Sequence, residues 1–288
     1  MIKNRVSTTF QDADTLYDYM GHTPIPYNEK DDVSLVNLGY WNGLNSFANG
    51  DLYRSNNALF QLVCQNAQLS EKDDFVADIG CGFGNVAVLC ATDFHCPNVI
   101  GINTSQYQIE QSKERVARQN LQDQVAIKNM AATDMQFADN SVDKMICTEA
   151  AYHFDSRDDF FREAYRTLKP GGILSIADLL YYQPRNTFEK IILPRLQDGL
   201  YIPSANIYGF TDYMMKIAKA GFEIIEAKNI TSNVRPYFRK WAFSHPVNLV
   251  IHRKISWIIS TIDFLIYPWE YIYLVAAKPV SSAPYRAS

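Results

Sequence analysis

No Cys-x-x-Cys pair occurs in the 288 residues, and the five cysteines (Cys64, Cys81, Cys90, Cys96 and Cys147) fall at no repeated spacing. That absence argues against a structural zinc and a disulfide framework, and suggests reduced thiols. A strong excess of either charge is missing too. With 27 Lys plus Arg against 31 Asp plus Glu, the net charge is -4, which disfavours a nucleic-acid-binding composition. A hydrophobic content of 47% excludes a disordered chain. The apolar stretch Ile255 to Tyr267 is shorter than a membrane span and contains Ser256, Ser260, Thr261 and Asp263. Met1 to Asp12 has no apolar core followed by a small-residue cleavage site, so a cytoplasmic location is expected. Internal repeats, low-complexity tracts and compact His/Cys/acid clusters are all absent, and no metal ligand is assigned.

What is present is a regular alternation. From Asp74 to Leu180, β-type runs (75–79, 98–102, 125–129, 144–148 and 173–177) alternate with amphipathic helical segments at 85–92, 105–119 and 157–168. The last helix is predicted to stop at the turn Lys169-Pro170-Gly171-Gly172. Two more runs, 222–227 and 271–276, complete a set of seven, with a helix over 211–220 feeding the first. The pattern predicts an α/β fold with a mostly parallel sheet covered by helices on both faces. Residues 1–70 read as an N-terminal helical cap, with helices at 15–20 and 55–68, and residues 71–288 as the main domain. Within the latter, 228–270 is an insertion that serves as a lid, a dimer arm or a membrane-touching surface.

The sharpest local signal is Asp78-Ile79-Gly80-Cys81-Gly82-Phe83-Gly84, which leaves a predicted strand and enters a predicted helix. Its glycines permit a tight turn and a close approach of ligand to backbone. No Gly-Lys-Ser/Thr follows, as a P-loop requires, and the spacing is not Gly-x-Gly-x-x-Gly. A carboxylate at Asp78 suits a cation or an amino group better than a pyrophosphate.

This segment resembles the first motif of the class I S-adenosylmethionine-dependent methyltransferases, and further segments resemble that family in order and spacing. The resemblance implies a Rossmann-like, seven-stranded sheet and S-adenosyl-L-methionine as cofactor. It places Asp78, Gly80, Gly82 and Gly84 at the cofactor. Val99 to Ser105 resembles the end of the second strand, where an acidic residue usually holds the ribose hydroxyls; here Asn103 stands there, followed by Thr104, with Gln108 on the next helix. Asp134 is expected to accept from the adenine amino group, with Met135 against the ring. The resemblance covers Thr148 to Phe154 as the fourth-strand exit, with Glu149 serving the cofactor or polarising a substrate.

Asn37-Leu38-Gly39-Tyr40-Trp41 resembles the Gly-Tyr-Trp segment of a small-molecule subset related to tocopherol, sterol, geranyl diphosphate and sugar O-methyltransferases. In that subset it closes over the methionine end, which implies cofactor contacts for Tyr40 and Trp41. Aromatic faces suit a sulfonium cation; the alternative is a buried pair that anchors the N-terminal helices. His153 is the candidate general base, with a pKa range suited to removing a hydroxyl, phenol or amine proton. A structural histidine bonded to Asp155 or a backbone carbonyl is the competing reading. Tyr17 and Tyr19 are further pocket candidates, and His22 with Pro24 to Pro26 reads as loop.

The residue types do not separate O-, N- and C-methylation. Carbon methylation of an alkene needs carbocation stabilisation and a final base, which Tyr40, Trp41, Glu149, Tyr152 and His153 supply as a set. The expected function is methyl transfer to a small hydrophobic metabolite. A lipid or isoprenoid C-methyltransferase and a catalytically inactive S-adenosylmethionine-binding protein are the alternatives. No Asn/Asp-Pro-Pro-Tyr motif supports methylation of nucleic-acid bases. Residues 232–262 contain Arg235, Arg239, Lys240, Arg253 and Lys254 without an acid, interspersed with Tyr237, Phe238, Trp241, Phe243 and Trp257. That segment leaves open an anionic lipophilic substrate, a homo-oligomer contact and a peripheral membrane contact.

Overall fold

The computed structural model describes residues 37–42, 44, 49–181, 187, 202–244 and 269–280. The predicted helix over 15–20 with Tyr17 and Tyr19, the loop around His22, and the stretch 245–268 with Arg253, Lys254 and Trp257 lie outside the described residues.

Chain order runs α1 (Asn49–Asn66), β1 (Val76–Ile79), α2 (Asn85–Thr92), β2 (Val99–Asn103), α3 (Gln106–Arg118), β3 (Val125–Asn129) and β4 (Val142–Thr148). A 3-10 turn (Ala151–His153) leads to α4 (Arg157–Thr167) and β5 (Leu168–Leu180). A second such turn (Ser204–Asn206), α5 (Phe210–Lys219), β6 (Glu223–Asn229), α6 (Thr231–Ser244) and β7 (Glu270–Ala277) follow. The seven strands form one sheet in the order β3-β2-β1-β4-β5-β7-β6. The four pairings among β1 to β5 are parallel, as strands joined by helices require, and β7 runs antiparallel between β5 and β6.

Strand alternation assigns the two faces. Along β7, Tyr271, Tyr273 and Val275 join one core cluster with Leu59 and Val63 of α1, Val86 of α2, Ile109 of α3 and Val234 of α6. Ile272, Leu274 and Ala276 join the other, with Phe160, Phe161 and Ala164 of α4 and Tyr213 and Ile217 of α5. The helix α1 therefore belongs to the sheet's own core, and Ser175 Oγ on β5 donates to the Val63 carbonyl at 2.9 Å.

Three local differences from the sequence reading have physical causes. The helix at 55–68 begins earlier, at Asn49, with Asp51 in its first turn to complement the helix dipole. Lys169 to Gly172 does end α4, but it is absorbed into β5 as a bulge. The register passes from Val142↔Leu168 to Lys144↔Ile173, Gly171 takes φ +79°, and its N–H donates to the Lys278 carbonyl. The insertion 228–270 opens with α6, which sequence patterning misses because Pro236 stands inside it; packing of Val234 and Phe238 into the core overrides that penalty.

Candidate active site

β1 is the switch point of the sheet, with β2 on one side and β4 on the other, and the C-terminal end of such a strand is where open α/β sheets bind their ligands. Asp78, two residues before the first glycine, is almost fully buried, and its Oδ2 has no hydrogen-bond partner among the described residues. Burial pushes its carboxyl up to about 7, against a smaller lowering by the Ala87 backbone. A buried acceptor without a donor is costly, and a positively charged or N–H-bearing ligand group would satisfy it.

The glycines after Asp78 differ in what surrounds them. All three take positive φ: +68° at Gly80, +52° at Gly82 and +75° at Gly84. A Cβ at Gly80 would lie 2.4 Å from Ala150 Cβ, and one at Gly84 3.2 Å from Ser112 Cβ, so these two permit close packing. A Cβ at Gly82 would meet nothing within 4 Å. Space beside a left-handed glycine backbone, next to an unpartnered carboxyl oxygen, fits a nucleotide cofactor lying along the loop. Ser112 Oγ donates to the Gly82 carbonyl at 2.7 Å and Arg115 Nε to the Phe83 carbonyl at 2.9 Å, so α3 holds the loop from outside.

At the end of β2, Asn103 donates through Nδ2 to Gln108 Oε1 at 2.8 Å and accepts the Thr104 N–H at Oδ1. Gln108 is buried, while Thr104 is exposed. Ser105 caps α3 by accepting the Gln108 N–H. Asp134 is exposed and Met135 is buried beside it. The Met135 N–H donates to Glu163 Oε2 at 2.8 Å, and Arg166 Nη2 donates to its carbonyl at 2.6 Å. Residues of α4 thus clamp the 134–135 turn, and the Arg166 guanidinium holds the Glu163 carboxyl below its ordinary range.

β4 is followed directly by Glu149, a non-glycine residue at φ +50°. Its Oε1 accepts the Leu38 N–H at 2.7 Å and the Tyr271 hydroxyl at 2.6 Å. Burial pushes this carboxyl up to about 8, opposed by those two donors and reinforced by Asp178. The following turn carries half-buried His153, whose ring centroid lies 4.0 Å from that of Tyr152. Ala150 and Phe154, at either end of that turn, are the nearest groups to the Gly80 Cβ position. The histidine turn and the glycine loop are therefore neighbours.

The segment 37–41 is pinned from three sides. Tyr40 N–H donates to the Ser55 carbonyl of α1, Trp41 N–H donates to the Asn233 carbonyl of α6, and Leu38 N–H reaches Glu149. Gly39, at φ +79°, lies so close to Ser55 that a Cβ there would overlap its Oγ. Tyr40 is half-buried. Trp41 is fully buried, its Nε1 donates to the Leu38 carbonyl at 2.8 Å, and its indole stacks on Tyr237 with centroids 6.4 Å apart. Sequence reasoning missed the roles of Tyr271, the Leu38 N–H, Ser112 and the Glu163–Arg166 clamp: Tyr271 and Ser112 belong to no motif, and Leu38, Glu163 and Arg166 lie in motif segments that gave them no role.

Among the described residues no group of three or more His, Cys, Asp or Glu side chains could hold a metal ion, and no helix is long and apolar enough to cross a membrane. All five cysteines are buried free thiols.

Comparison with known proteins gives a consistent result. Residues 77–176 match the family model described as a methyltransferase domain. Over 212 residues the chain is 29% identical to erythromycin 3''-O-methyltransferase of Saccharopolyspora erythraea, covering 72% of this chain and 68% of that one. Over 238 residues it is 28% identical to sterol 24-C-methyltransferase of Saccharomyces cerevisiae, covering 81% of this chain and 61% of the relative's length. The fold matches the crystal structure of the [4+2]-cyclase SpnF with a TM-score of 0.73 at 22% identity, over 94% of this chain and 97% of that one. With the open glycine loop and the unpartnered Asp78 oxygen, these matches make residues 77–176 a methyltransferase domain and the protein an S-adenosylmethionine-dependent methyltransferase acting on a small molecule.

Proposed function

We propose that the acceptor is a small lipophilic molecule of isoprenoid or related lipid type and that the methyl group goes to carbon, with Glu149 as the base. The observation that carries this reading is Glu149 itself, a buried carboxyl at the β4 exit whose proton affinity burial has raised and whose Oε2 makes no hydrogen bond among the described residues. Attack of an alkene on a methyl group leaves a carbocation one carbon away and a proton to be lost. A carboxyl in a low-dielectric site stabilises that cation and accepts that proton. The sterol 24-C-methyltransferase relative supports this assignment.

When bound, S-adenosylmethionine supplies an electrophilic methyl on a sulfonium. The chain's residues then take these roles: Asp78 accepts from the amino end, and the backbone at Gly80, Gly82 and Gly84 lets the cofactor lie close. Asn103, Thr104 and Gln108 serve the ribose, and Asp134 and Met135 serve the adenine. Tyr40 lies towards the methyl group, while Trp41 holds the 37–41 segment in place through its stacking on Tyr237. Residues 1–70 close the cofactor side and 228–270 wall the acceptor pocket. We favour that wall over a dimer arm or a membrane surface because α6 turns Val234 and Phe238 into the core and Tyr237 onto Trp41. Buried thiols support a cytoplasmic location.

The test is methyl transfer from trideuteromethyl S-adenosylmethionine to sterols, prenyl compounds, macrolides and sugars, followed by mass spectrometry and NMR. Label on carbon, lost in Glu149→Gln and lowered but still detectable in His153→Ala, supports the reading, with His153 assisting Glu149. Label on oxygen, lost in His153→Ala, supports instead an O-methyltransferase with His153 as base, a reading favoured by the erythromycin 3''-O-methyltransferase relative. Saturable cofactor binding with no transfer to any acceptor leaves the non-methylating alternative, which the fold shared with a cyclase keeps in view.

A further inference from the structure

Asn206 lies far from every motif in the sequence, yet it is fully buried. Burial of a carboxamide is tolerated when its donors and acceptor are satisfied, and the partners of this one are distinctive. Nδ2 donates to the Phe154 carbonyl at 2.6 Å and to the Tyr152 carbonyl at 3.3 Å, the residues on either side of His153. Oδ1 accepts the Arg157 N–H at 2.9 Å, one of the N-terminal helix donors that has no partner within α4. The Asn206 backbone carbonyl accepts Arg157 Nη1 at 2.6 Å.

The residue is itself anchored to the sheet. Ile207 bridges to Tyr181, directly after β5. Arg157, also fully buried, donates from Nε to Asp178 Oδ2 at 2.8 Å and from Nη2 to the Leu179 carbonyl at 2.5 Å, both on β5. Tyr213 of α5 donates to the same Asp178 oxygen. The turn around His153 is thereby referenced to β5 through one side chain.

We propose that Asn206 is a positioning residue for methyl transfer, its carboxamide bracketing His153 and fixing where the imidazole stands beside the glycine loop. This rests on the reading that the β4-exit turn faces the reacting groups. Among the described residues Asn206 makes no hydrogen bond to the glycine loop or to Asp78, so cofactor affinity is expected to stay intact while turnover falls. A misplacement of about 1 Å costs about 100-fold in rate.

The test uses Asn206→Ala, which removes all three side-chain bonds, and Asn206→Asp, which keeps an acceptor for the Arg157 N–H and loses the two donations to Tyr152 and Phe154. Three readouts are taken on full-length protein: calorimetric affinity for S-adenosylmethionine, kcat with an acceptor identified for the wild type, and the imidazole NMR signals of His153, assigned by their loss in His153→Ala among the five histidines. The expected result is a shifted His153 signal in both variants, cofactor affinity within about threefold of wild type, and a kcat loss of about 10- to 100-fold. That loss should vanish when His153 is already Ala, since groups acting as a unit are non-additive. If either variant fails to fold, the other decides. Unmoved His153 signals with unchanged kcat overturn the proposal, as does an Asp variant that behaves as wild type, because the residue then serves only the end of α4. An inactive wild type that still binds cofactor overturns the function reading and this one with it, and differs visibly from an active enzyme with unmoved His153 signals.

Discussion

Tyr271 donates its hydroxyl to Glu149 across 2.6 Å, joining β7, antiparallel and last in the chain, to the exit of β4. Burial raises the affinity of both groups for protons, so the phenol remains a donor throughout the neutral range. The same carboxylate oxygen accepts the Leu38 N–H, and the N-terminal segment, the central sheet and the last strand meet at one atom.

Glu149→Gln keeps an acceptor oxygen for Tyr271 and Leu38 while removing the base. Expected is a loss of about 100- to 10,000-fold in kcat with S-adenosylmethionine affinity within a few-fold of wild type. Steady-state kinetics and calorimetry on one preparation check it. Equal loss in binding and in turnover would place Glu149 with the cofactor rather than the acceptor.

The cofactor-free protein is expected to lose stability as pH rises. Asp78 moves from 3.8 to about 7 and Glu149 from 4.5 to about 8 on folding. Between the two values of each group the folded state binds more protons than the unfolded state, so unfolding free energy falls with pH. The stability is fully present below about pH 4 for these two groups and is lost by about pH 8, an effect of order a few kcal/mol. Thermal unfolding from pH 5 to 8 measures it, and Asp78→Asn with Glu149→Gln should flatten the curve.

Gly80→Ala and Gly82→Ala should separate folding from binding. Both backbones take positive φ, costing about 1 to 2 kcal/mol for an added Cβ. At Gly80 the Cβ also meets Ala150 at 2.4 Å, adding overpacking of about 1 to 3 kcal/mol. At Gly82 it enters open space, so the protein stays folded and loses cofactor affinity by tenfold or more. Denaturant midpoints and titration calorimetry report the two effects; a Gly82→Ala protein with wild-type affinity would remove the loop from the binding site.

Trp41→Ala should cost about 3 to 5 kcal/mol of stability, because a fully buried indole, its bond to the Leu38 carbonyl and its stack on Tyr237 are all lost. Tyr40→Phe, at a half-buried position, should leave the melting temperature within about 2 °C while lowering kcat. Similar melting losses in both would mean that Tyr40, too, is an anchor.

Replacing Arg157 by Met should destabilise by about 3 to 5 kcal/mol, since it leaves the Asp178 carboxyl buried without its cation. The double change with Asp178→Leu should recover much of that loss. Urea unfolding of the two variants decides whether the pair stabilises the fold or only fails when broken.

The alternation of strands and helices, the glycine turn after Asp78 and, through these, the resemblance to methyltransferases are legible in the sequence. Each is written in neighbouring residues, in the period of burial along one element or in a backbone angle that glycine adopts without strain. Even there, α6 is hard to read from local rules, because it holds Pro236 inside and its packing overrides the penalty. The rest of the site comes from folding, which brings together groups that lie far apart along the chain. Tyr271 and Glu149 are 122 residues apart, Leu38 and Glu149 111, and Asn206 and Tyr152 54. A backbone N–H, an unremarkable strand tyrosine and a buried loop asparagine carry no periodicity, and the carboxyl they surround has its proton affinity set by burial, a property that exists only once the sheet has closed around it.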